Sequence, residues 1–457
     1  MAKQKFDYDL IVIGSGAGGS VAADIVATAG KRVALIEGDT LGGECPNWGC
    51  VPTKALLHAA HVYDEAKRGA QFGIRGSAVG YNYPSVKAWK DLAVKRTGAS
   101  SGERYYQSRG ISVFHGEAHF INSHEITVNR RHLSAAHFII ATGSHWLIPN
   151  VPGLGAVPYL TARTALELNR PPKSIFIMGA GAVGAEFAEL FSIFGSKIYL
   201  ADISGHILPK EDDEVGELIG EYFTRERGME LLTSAKVVRV EKEGISVRVT
   251  YLRGGEEHSV RVDALLVATG KAPTTDLGLE NAGINYTPKG IEVNDHLVTS
   301  APHILAAGDV LGRNMFTHMG VYESRIAAHN ILHKQKISPN YQAVPRVTFL
   351  TPEVASVGLS EAACLKRDLP IKTAVATLNV IGRSNAHNFR DGFCKVITDK
   401  KGVLLGATVV APHAGEIIHE LTLAIQHGLT AHDVANTLHA FPTWSEIVRV
   451  ACGKIKI

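Results

Sequence analysis

Residues 8–37 read YDLIVIGSGAGGSVAADIVATAGKRVALIE, and this stretch decides the fold. An apolar run ends in a turn that carries Gly14, Gly16 and Gly19; a small-residue helical pattern follows, and a second apolar run ends in Glu37. Strand, Gly-x-Gly-x-x-Gly, helix, strand and acid form the fingerprint of a dinucleotide-binding unit. The glycines allow a pyrophosphate to approach the helix N-terminus, and Glu37 can accept from a ribose hydroxyl. The alternative is a glycine turn that holds no nucleotide.

The same pattern returns at residues 174–202. A strand leads into a turn that carries Gly179, Gly181 and Gly184, and the strand after the helix ends in Asp202. Two fingerprints indicate two nucleotides, or one nucleotide and one degenerate copy. A carboxylate at this strand end would repel a ribose 2′-phosphate, and no arginine stands nearby to receive one. The second nucleotide is therefore predicted to be NAD(H) rather than NADP(H).

Further strand ends follow a common pattern. Apolar runs end in Ala-Thr-Gly at 141–143 and at 268–270, and another ends in Gly308-Asp309. Asp309 could meet the sugar chain of a cofactor, or it could cap a turn. The order predicts an α/β chain of two Rossmann-like nucleotide-binding domains, the second inserted in the first, and a C-terminal α+β domain. The expected domains are 1–149 and 271–340 for the first, 150–270 for the second, and 341–457 for the last.

A cysteine motif follows the first fingerprint directly, in the sequence LGGECPNWGCVPTK at 41–54. Pro52 is tolerated in the first turn of a helix, which predicts a helix from about Cys50 to residue 68. A helix N-terminus favours a thiolate at Cys50, and Cys45 lies near enough to close a small, reducible ring. A structural disulfide or two buried free cysteines are the alternatives. A second helical stretch is expected over 83–109.

Composition limits the class of protein. The chain has 457 residues, of which 45% are hydrophobic and 20% charged, and it carries five cysteines. This profile predicts a globular, multi-domain protein without a disulfide scaffold. No signal peptide or membrane-spanning run is visible, so a reducing, cytoplasmic compartment is expected. A net charge of +3 without a basic run argues against a nucleic-acid partner.

Taken together, the motifs identify a family by resemblance. The chain resembles the two-cysteine flavoprotein disulfide reductases, the group of dihydrolipoyl dehydrogenase, glutathione reductase and mercuric reductase. The similarity covers essentially the whole length: both fingerprints, the cysteine motif, both Ala-Thr-Gly runs, Gly308-Asp309 and a Pro-Thr-x-x-Glu ending at 442–446. It implies FAD and NAD(H) as cofactors, a redox-active Cys45–Cys50 disulfide, and a homodimer formed through the C-terminal domain.

The resemblance also assigns roles to single residues. Cys50 would face the flavin as a thiolate, and Cys45 would be the interchange thiol that attacks the substrate. Lys54 would lie near flavin N5, paired with Glu186; the alternatives are a solvated lysine and a first-turn carboxylate. The cofactor contacts implied are Gly14, Gly16, Gly19, Glu37, Gly43, Lys54, Gly116, Ala118, Thr142, Gly143, Gly179, Gly181, Gly184, Glu186, Asp202, Gly270, Gly308 and Asp309.

The C-terminal ending departs from the family pattern. Disulfide-reducing members carry a histidine directly before the proline, but here that position is Phe441, although Glu446 is in place. A phenyl ring cannot carry a proton, so the usual acid/base catalyst is missing. His439 is a candidate replacement, with a packing histidine as the alternative. Mercuric reductases also lack this histidine but end in a vicinal cysteine pair, whereas this chain has only Cys452 near its end.

These observations predict an oxidoreductase that passes electrons between NAD(H), FAD and the cysteine pair. The leading substrate is a disulfide or dithiol handled without the usual histidine. The alternatives are a soft metal ion, a quinone, or a non-catalytic role as a redox-sensing flavoprotein. Neither a bound metal cofactor nor a membrane partner is predicted.

Overall fold

The computed structural model describes residues 6–75 and 79–456. The strands, numbered in chain order, are β1 (Tyr8–Ile13), β2 (Val33–Glu37), β3 (Ile111–His115), β4 (Ala118–Asn122), β5 (Glu125–Val128), β6 (Arg131–Ile140), β7 (Ser144–Trp146), β8 (Ser174–Met178), β9 (Lys197–Ala201), β10 (Glu230–Leu232), β11 (Ala235–Glu243), β12 (Ser246–Arg253), β13 (Glu256–Val262), β14 (Ala264–Val267), β15 (Lys271–Pro273), β16 (Tyr286–Thr287), β17 (Gly290–Ile291), β18 (Ile304–Ala306), β19 (Arg346–Thr348), β20 (Glu353–Gly358), β21 (Ile371–Thr377), β22 (Phe393–Asp399) and β23 (Leu404–Ala411).

The helices, numbered in the same way, are α1 (Ser20–Thr28), α2 (Glu44–Trp48), α3 (Cys50–Arg68), α4 (Tyr83–Thr97), α5 (Glu103–Ser108), α6 (Ala162–Ala165), α7 (Ala182–Ile193), α8 (Asp213–Arg227), α9 (Thr317–Leu332), α10 (Glu361–Lys366), α11 (Gly382–His387), α12 (Ala414–Gln426), α13 (Ala431–Asn436) and α14 (Glu446–Gly453). Short 3-10 turns lie at Gly69–Phe72, Ala99–Ser101, Leu154–Ala156, Leu279–Ala282, Asp309–Leu311 and Leu378–Val380. Within the described residues, no helix has both the length and the apolar character needed to cross a membrane.

The chain divides into two compact units, each built from separate segments. Unit 1 comprises Met1–Leu56, Pro84–Leu147 and Gly270–Pro339, and unit 2 comprises Leu57–Tyr83, Ile148–Thr269 and Asn340–Ile457.

Unit 1 is built on a parallel sheet in the order β3-β2-β1-β6-β18. Its central strand β1 is buried from Leu10 onward, as expected for a strand that pairs on both sides within a parallel sheet. β6 is long enough to pair with β1 and also, near its start, with the antiparallel hairpin β4-β5. On one face, α1 packs against α9, and the hydroxyl of Ser324 accepts from the backbone N–H of Ala22 at 2.9 Å. This packing places α9 beside the helix that follows the first glycine turn.

Unit 2 contains the second nucleotide-binding fold and the C-terminal fold. Strands β10-β9-β8-β14 form a parallel sheet, next in sequence to the antiparallel ribbon β11-β12-β13. The C-terminal segment forms the antiparallel sheet β19-β20-β23-β22-β21, on which α12 and α14 bury their apolar faces. Parallel sheets flanked by helices and a C-terminal α+β fold confirm the fold class that the sequence predicts.

The strands predicted around the second glycine turn are present in the structure, and one predicted helical stretch is divided into shorter helices. β8 and β9 are the two strands that the repeated pattern at 174–202 predicts, one before the glycine turn and one after the helix. The helical stretch expected over 83–109 is present but divided, because Gly98 adopts a left-handed conformation with φ of +68° and ends α4. Glycine tolerates that conformation after the last helical turn, so the chain restarts as a 3-10 turn and then α5.

Candidate active site

The first glycine turn has the geometry that a dinucleotide requires. Gly14 has φ of +102°, and a Cβ there would lie 2.2 Å from the carbonyl oxygen of Ala141. A Cβ at Gly19 would lie 1.9 Å from the carbonyl oxygen of Gly14, so the helix can approach the strand only with glycine there. At Gly16 the nearest neighbour of such a Cβ, the Cα of Gly43, is 3.9 Å away. That open face is where a pyrophosphate can approach the backbone.

The second turn repeats this arrangement. A Cβ at Gly179 would lie 2.4 Å from the carbonyl oxygen of Ala268, and one at Gly184 would lie 1.8 Å from that of Gly179. A Cβ at Gly181 would meet nothing within 4 Å. In both turns the outer glycines are required by the chain itself, whereas the middle glycine leaves space for a ligand. The residues present therefore fit two dinucleotides.

One acidic residue at the end of the next strand contacts each glycine turn: Glu37 contacts the first turn and Asp202 the second. Glu37 accepts hydrogen bonds from the backbone N–H groups of Ser15 at 3.0 Å and Asp39 at 2.8 Å. Asp202 accepts from the N–H of Ala180 at 2.7 Å, which is the corresponding position of the second turn. Each carboxylate thus lies beside its glycine turn, where a ribose is bound in this fold. The ribose contacts themselves stay predictions.

We expect a preference for NADH over NADPH of roughly 10- to 100-fold in kcat/KM, because a 2′-phosphate would face the Asp202 carboxylate. Asp202→Asn keeps an oxygen that can accept from the N–H of Ala180 but removes the negative charge. It should therefore reduce the ratio of kcat/KM with NADH to kcat/KM with NADPH. Asp213→Asn is the matched control, since it removes a carboxylate of the same unit whose side chain is 88% exposed. A wild-type protein that favours NADPH would contradict the assignment.

The residues before the cysteines lie directly on the first glycine turn. The N–H of Gly42 donates to the hydroxyl of Ser15 at 2.9 Å, and a Cβ at Gly43 would lie 2.8 Å from the Cα of Gly16. The amide of Asn47 donates back to the carbonyl oxygen of Gly43 at 2.7 Å. The sequence predicts α3 but not α2, the short helix that these contacts place at Cys45. The cysteine motif is therefore attached to the cofactor turn.

Both cysteines of the motif are free in this structure. Cys45 is partly buried on α2, and Cys50 is the exposed first residue of α3. The hydrogen bond with Cys50, together with burial, raises the pKa of the Cys45 thiol. This raised pKa favours the protonated form of Cys45, while a thiolate at Cys50 stays the prediction that follows from its place at a helix N-terminus.

Thr317 is a site residue that sequence reasoning missed. It is the first residue of α9, and its Oγ1 lies 3.6 Å from the Cys50 sulfur. A hydrogen bond from Thr317 also acts on Cys45, where it lowers the pKa against the larger opposing effect of Cys50. No sequence signal marks Thr317, because it is 267 positions away from Cys50.

The ends of β6 and β18 bring together further predicted residues. Asp309 accepts from the hydroxyl of Ser144 at 2.6 Å, and Thr142 donates to the carbonyl oxygen of Thr274 at 2.6 Å. The N–H of Gly308 donates to Glu323, a buried carboxylate of α9 that the sequence did not single out, at 2.7 Å. These bonds hold the strand ends beside the glycine turn, but their predicted contacts to FAD stay untested.

The remaining residues predicted to contact a cofactor lie on several different segments of the chain. Gly116 (φ +137°), Gly143 (φ +71°) and Gly270 (φ +116°) adopt backbone conformations that favour glycine, and Ala118 is buried at the start of β4. Lys54 is partly buried on α3, one turn after Cys50. Buried Glu186 accepts from the N–H of Phe349 at 3.0 Å. The predicted pairing of Lys54 with Glu186 joins residues of different units and stays a prediction.

The C-terminal ending presents apolar side chains to the surface. Phe441 is 76% exposed and Leu438 is 99% exposed. The side chain of His439 is instead only 5% exposed, and its Nε2 lies 3.0 Å from a carboxylate oxygen of Glu420. Glu446, at the start of α14, is buried and accepts from the N–H of Thr443 at 3.4 Å. Since His439 turns inward in this unit, the geometry disfavours it as the replacement base.

Comparison with known proteins identifies the class that these features define. The profile of pyridine nucleotide-disulphide oxidoreductases matches residues 8–329, and the profile of the dimerisation domain of the same enzymes matches residues 344–452. The chain belongs to the pyridine nucleotide-disulphide oxidoreductase family. Members are FAD-dependent and take electrons from a pyridine nucleotide, which confirms the predicted enzyme class and cofactors. The dimerisation domain supports a homodimer.

The individual relatives are of several kinds. The chain is 35% identical to mercuric reductase of Bacillus cereus over 453 residues, covering 98% of this chain and 71% of the relative. It is also 35% identical to dihydrolipoyl dehydrogenase of Geobacillus stearothermophilus over 455 residues, covering 97% and 95%. Among solved structures, the Cu(II) complex of a cysteine-to-serine variant of the HOCl-induced flavoprotein disulfide reductase RclA from Escherichia coli is similar, with a TM-score of 0.89, 28% identity, and coverage of 99% and 100%.

Proposed function

We propose that this flavoprotein passes electrons from NADH through FAD to the Cys45–Cys50 pair, and from the pair to a thiophilic metal ion, either Hg(II) or Cu(II), whose reduced form Cu(I) is soft. One NADH reduces two Cu(II) ions to Cu(I) and releases NAD+ and one proton; with Hg(II), the two electrons yield elemental mercury. Bound FAD supplies a centre that accepts hydride and passes electrons to sulfur. The chain's own residues hold the nucleotides, position the sulfurs and decide where protons go.

Phe441 is the observation that carries this proposal. Reduction of a disulfide substrate requires Cys45 to lose its proton and the departing sulfur to gain one, which a positioned base and acid perform. Phe441 cannot do either, and His439 is paired with Glu420. The pKa of Cys45 is also raised, chiefly by its hydrogen bond with Cys50. Proton transfer to and from a thiol substrate is therefore expected to be slow.

A soft metal ion avoids this requirement. Thiolates are the ligands that soft ions such as Hg(II) and the product Cu(I) prefer, and a thiol that coordinates a metal loses its proton without a base. Cys50 is exposed, and Cys45 lies within hydrogen-bonding distance of it, so the reduced pair can offer two sulfurs to one ion. The similarity to mercuric reductase supports a metal ion as the acceptor, and the Cu(II) complex of RclA is a similar structure that binds a metal ion.

A disulfide substrate is the second candidate. It is favoured by the similarity to dihydrolipoyl dehydrogenases over nearly the whole of both chains, and by Glu446, which remains buried at the start of α14. In this version, Cys45 would attack a small disulfide without a side-chain base and would depend on solvent for proton transfer. Turnover would then rise steeply with pH, since only the Cys45 thiolate reacts.

An acceptor panel tests the proposal. NADH oxidation by the FAD-loaded protein is measured with Cu(II), Hg(II), lipoamide, glutathione disulfide and a benzoquinone. We expect the metal ions to be reduced faster than either disulfide, and Cys45→Ser to abolish metal reduction while sparing the benzoquinone, which can take electrons directly from flavin. The Cys364→Ser control removes a buried thiol of α10. Fast lipoamide turnover in the wild type would overturn the metal assignment, and metal reduction that survives Cys45→Ser would show that the pair is not the donor.

A further inference from the structure

A cation from a distant part of the sequence contacts the residue before Cys45. The Nζ of Lys271 lies 2.5 Å from a carboxylate oxygen of Glu44, and the two side chains are 21% and 26% exposed. The same Nζ lies 4.9 Å from the ring centroid of Trp146. Lys271 and Trp146 face each other as register partners in the antiparallel pair β7-β15. The Lys271 ammonium is therefore held in place by the Glu44 carboxylate, by the Trp146 ring and by the pairing of β7 with β15.

Glu44 connects this cation to the sulfur chemistry. It is the first residue of α2, and the backbone around it is tightly closed: a Cβ at Gly49 would lie 3.0 Å from the carbonyl oxygen of Glu44 and 3.1 Å from the Cα of Cys45. Glu44 and Cys45 are consecutive residues of α2, so the ion pair of Glu44 lies next to the first cysteine along the backbone. Because partly buried ion pairs are screened less than exposed ones, this pair can both restrain α2 and neutralise the carboxylate.

We infer that Lys271 is a positioning residue for the redox-active pair, and that it acts through Glu44 to set the reduction potential of the Cys45–Cys50 disulfide. Reduction adds two electrons and one proton, breaks the sulfur–sulfur bond, and leaves a thiol on Cys45 and a thiolate on Cys50. The product carries one more negative charge than the disulfide. An uncompensated carboxylate at Glu44 would disfavour that product, and Lys271 removes this penalty.

The inference uses only the cysteine pair, so it does not depend on which acceptor the enzyme reduces. The test therefore omits any acceptor: the FAD-loaded protein is equilibrated at fixed pH with a reference dithiol–disulfide couple, and the oxidised and reduced fractions of the pair are measured. The variants are Lys271→Met, Lys271→Arg, Glu44→Gln and the double variant Glu44→Gln/Lys271→Met. Lys334→Met, at an exposed lysine of the same unit, is the control for loss of one positive charge.

Lys271→Met should lower the equilibrium constant for reduction of the pair by roughly 3- to 10-fold, or about 15–30 mV for a two-electron couple. Lys271→Arg should restore the wild-type value, and Lys334→Met should not change it. Glu44→Gln should instead raise the equilibrium constant for reduction of the pair, because it leaves the Lys271 cation without its carboxylate partner. The double variant should lie closer to wild type than Lys271→Met does.

Two results would overturn the inference. If the double variant shifts as far as Lys271→Met, then Lys271 does not act through Glu44. If Glu44→Gln leaves the potential unchanged or lowers it, charge compensation is not the cause. The Glu44→Gln arm decides the question even where Lys271→Met fails to fold, since it retains Lys271 and its contact with Trp146.

Discussion

Cys50→Ser is expected to lower turnover of every acceptor that depends on the cysteine pair by roughly 10³-fold or more, because a serine hydroxyl cannot form the disulfide that receives the electrons. It should also abolish the long-wavelength absorbance that a thiolate against oxidised flavin produces in the two-electron-reduced protein. Cys45→Ser should lose the same turnover but keep that absorbance, since it leaves Cys50 as an unpaired thiolate at the start of α3. Absorbance spectra during reductive titration and steady-state rates measure both effects.

The two cysteine variants differ only in which sulfur remains, so each is the control for the other. Reduction of a benzoquinone or dye directly from flavin should persist in both and shows that the nucleotide sites are intact. If both variants lose the absorbance, or both keep it, the assignment of Cys50 to the flavin and Cys45 to the substrate is wrong. The raised pKa of Cys45, caused first by its hydrogen bond with Cys50, favours a protonated Cys45 and agrees with this assignment.

Phe441→His is expected to raise the turnover of lipoamide or glutathione disulfide by roughly 10²- to 10⁴-fold, the usual contribution of a positioned acid/base group. The exposed ring of Phe441 can be replaced without disturbing a buried core, and Glu446 is available to orient an imidazole if the family geometry holds. Metal-ion reduction should change little, because it does not use this proton. Rates for a disulfide and a metal ion, measured on the same protein, separate the two effects.

Two variants sharpen this test. Glu446→Gln in the Phe441→His background should remove most of the gain, since the imidazole would lose its orienting carboxylate. His439→Ala should cost stability, because it removes the partner of Glu420, but should leave the disulfide rate unchanged. A wild-type protein that already turns over lipoamide rapidly, with His439→Ala having no effect, would show that the missing base does not limit this chemistry. If His439→Ala abolished a fast reaction, the base would instead lie at His439.

Much of the molecule follows from local sequence. Gly14 and Gly179 have positive φ and adjoin a strand, and Gly19 and Gly184 allow no side chain at the helix–strand contact, so each fingerprint carries its own structural reason. The apolar runs of β8 and β9 set their bounds because a buried parallel strand needs continuous apolar residues. Fold class, family and cofactors were therefore predicted correctly. The departure at Phe441 is equally a property of the sequence alone.

The tertiary structure determined which residues lie near the two cysteines and how the side chains of the C-terminal segment are oriented. Thr317 lies at Cys50, and Lys271 at Glu44, through packing of segments more than 200 positions apart in sequence. No spacing rule connects such residues, because their proximity depends on how whole strands and helices assemble. The inward turn of His439 also depends on packing, because it accompanies the contact of His439 with Glu420 of α12. Sequence periodicity determined the elements and the nucleotide turns, whereas the electrostatic surroundings of the cysteines depend on long-range packing.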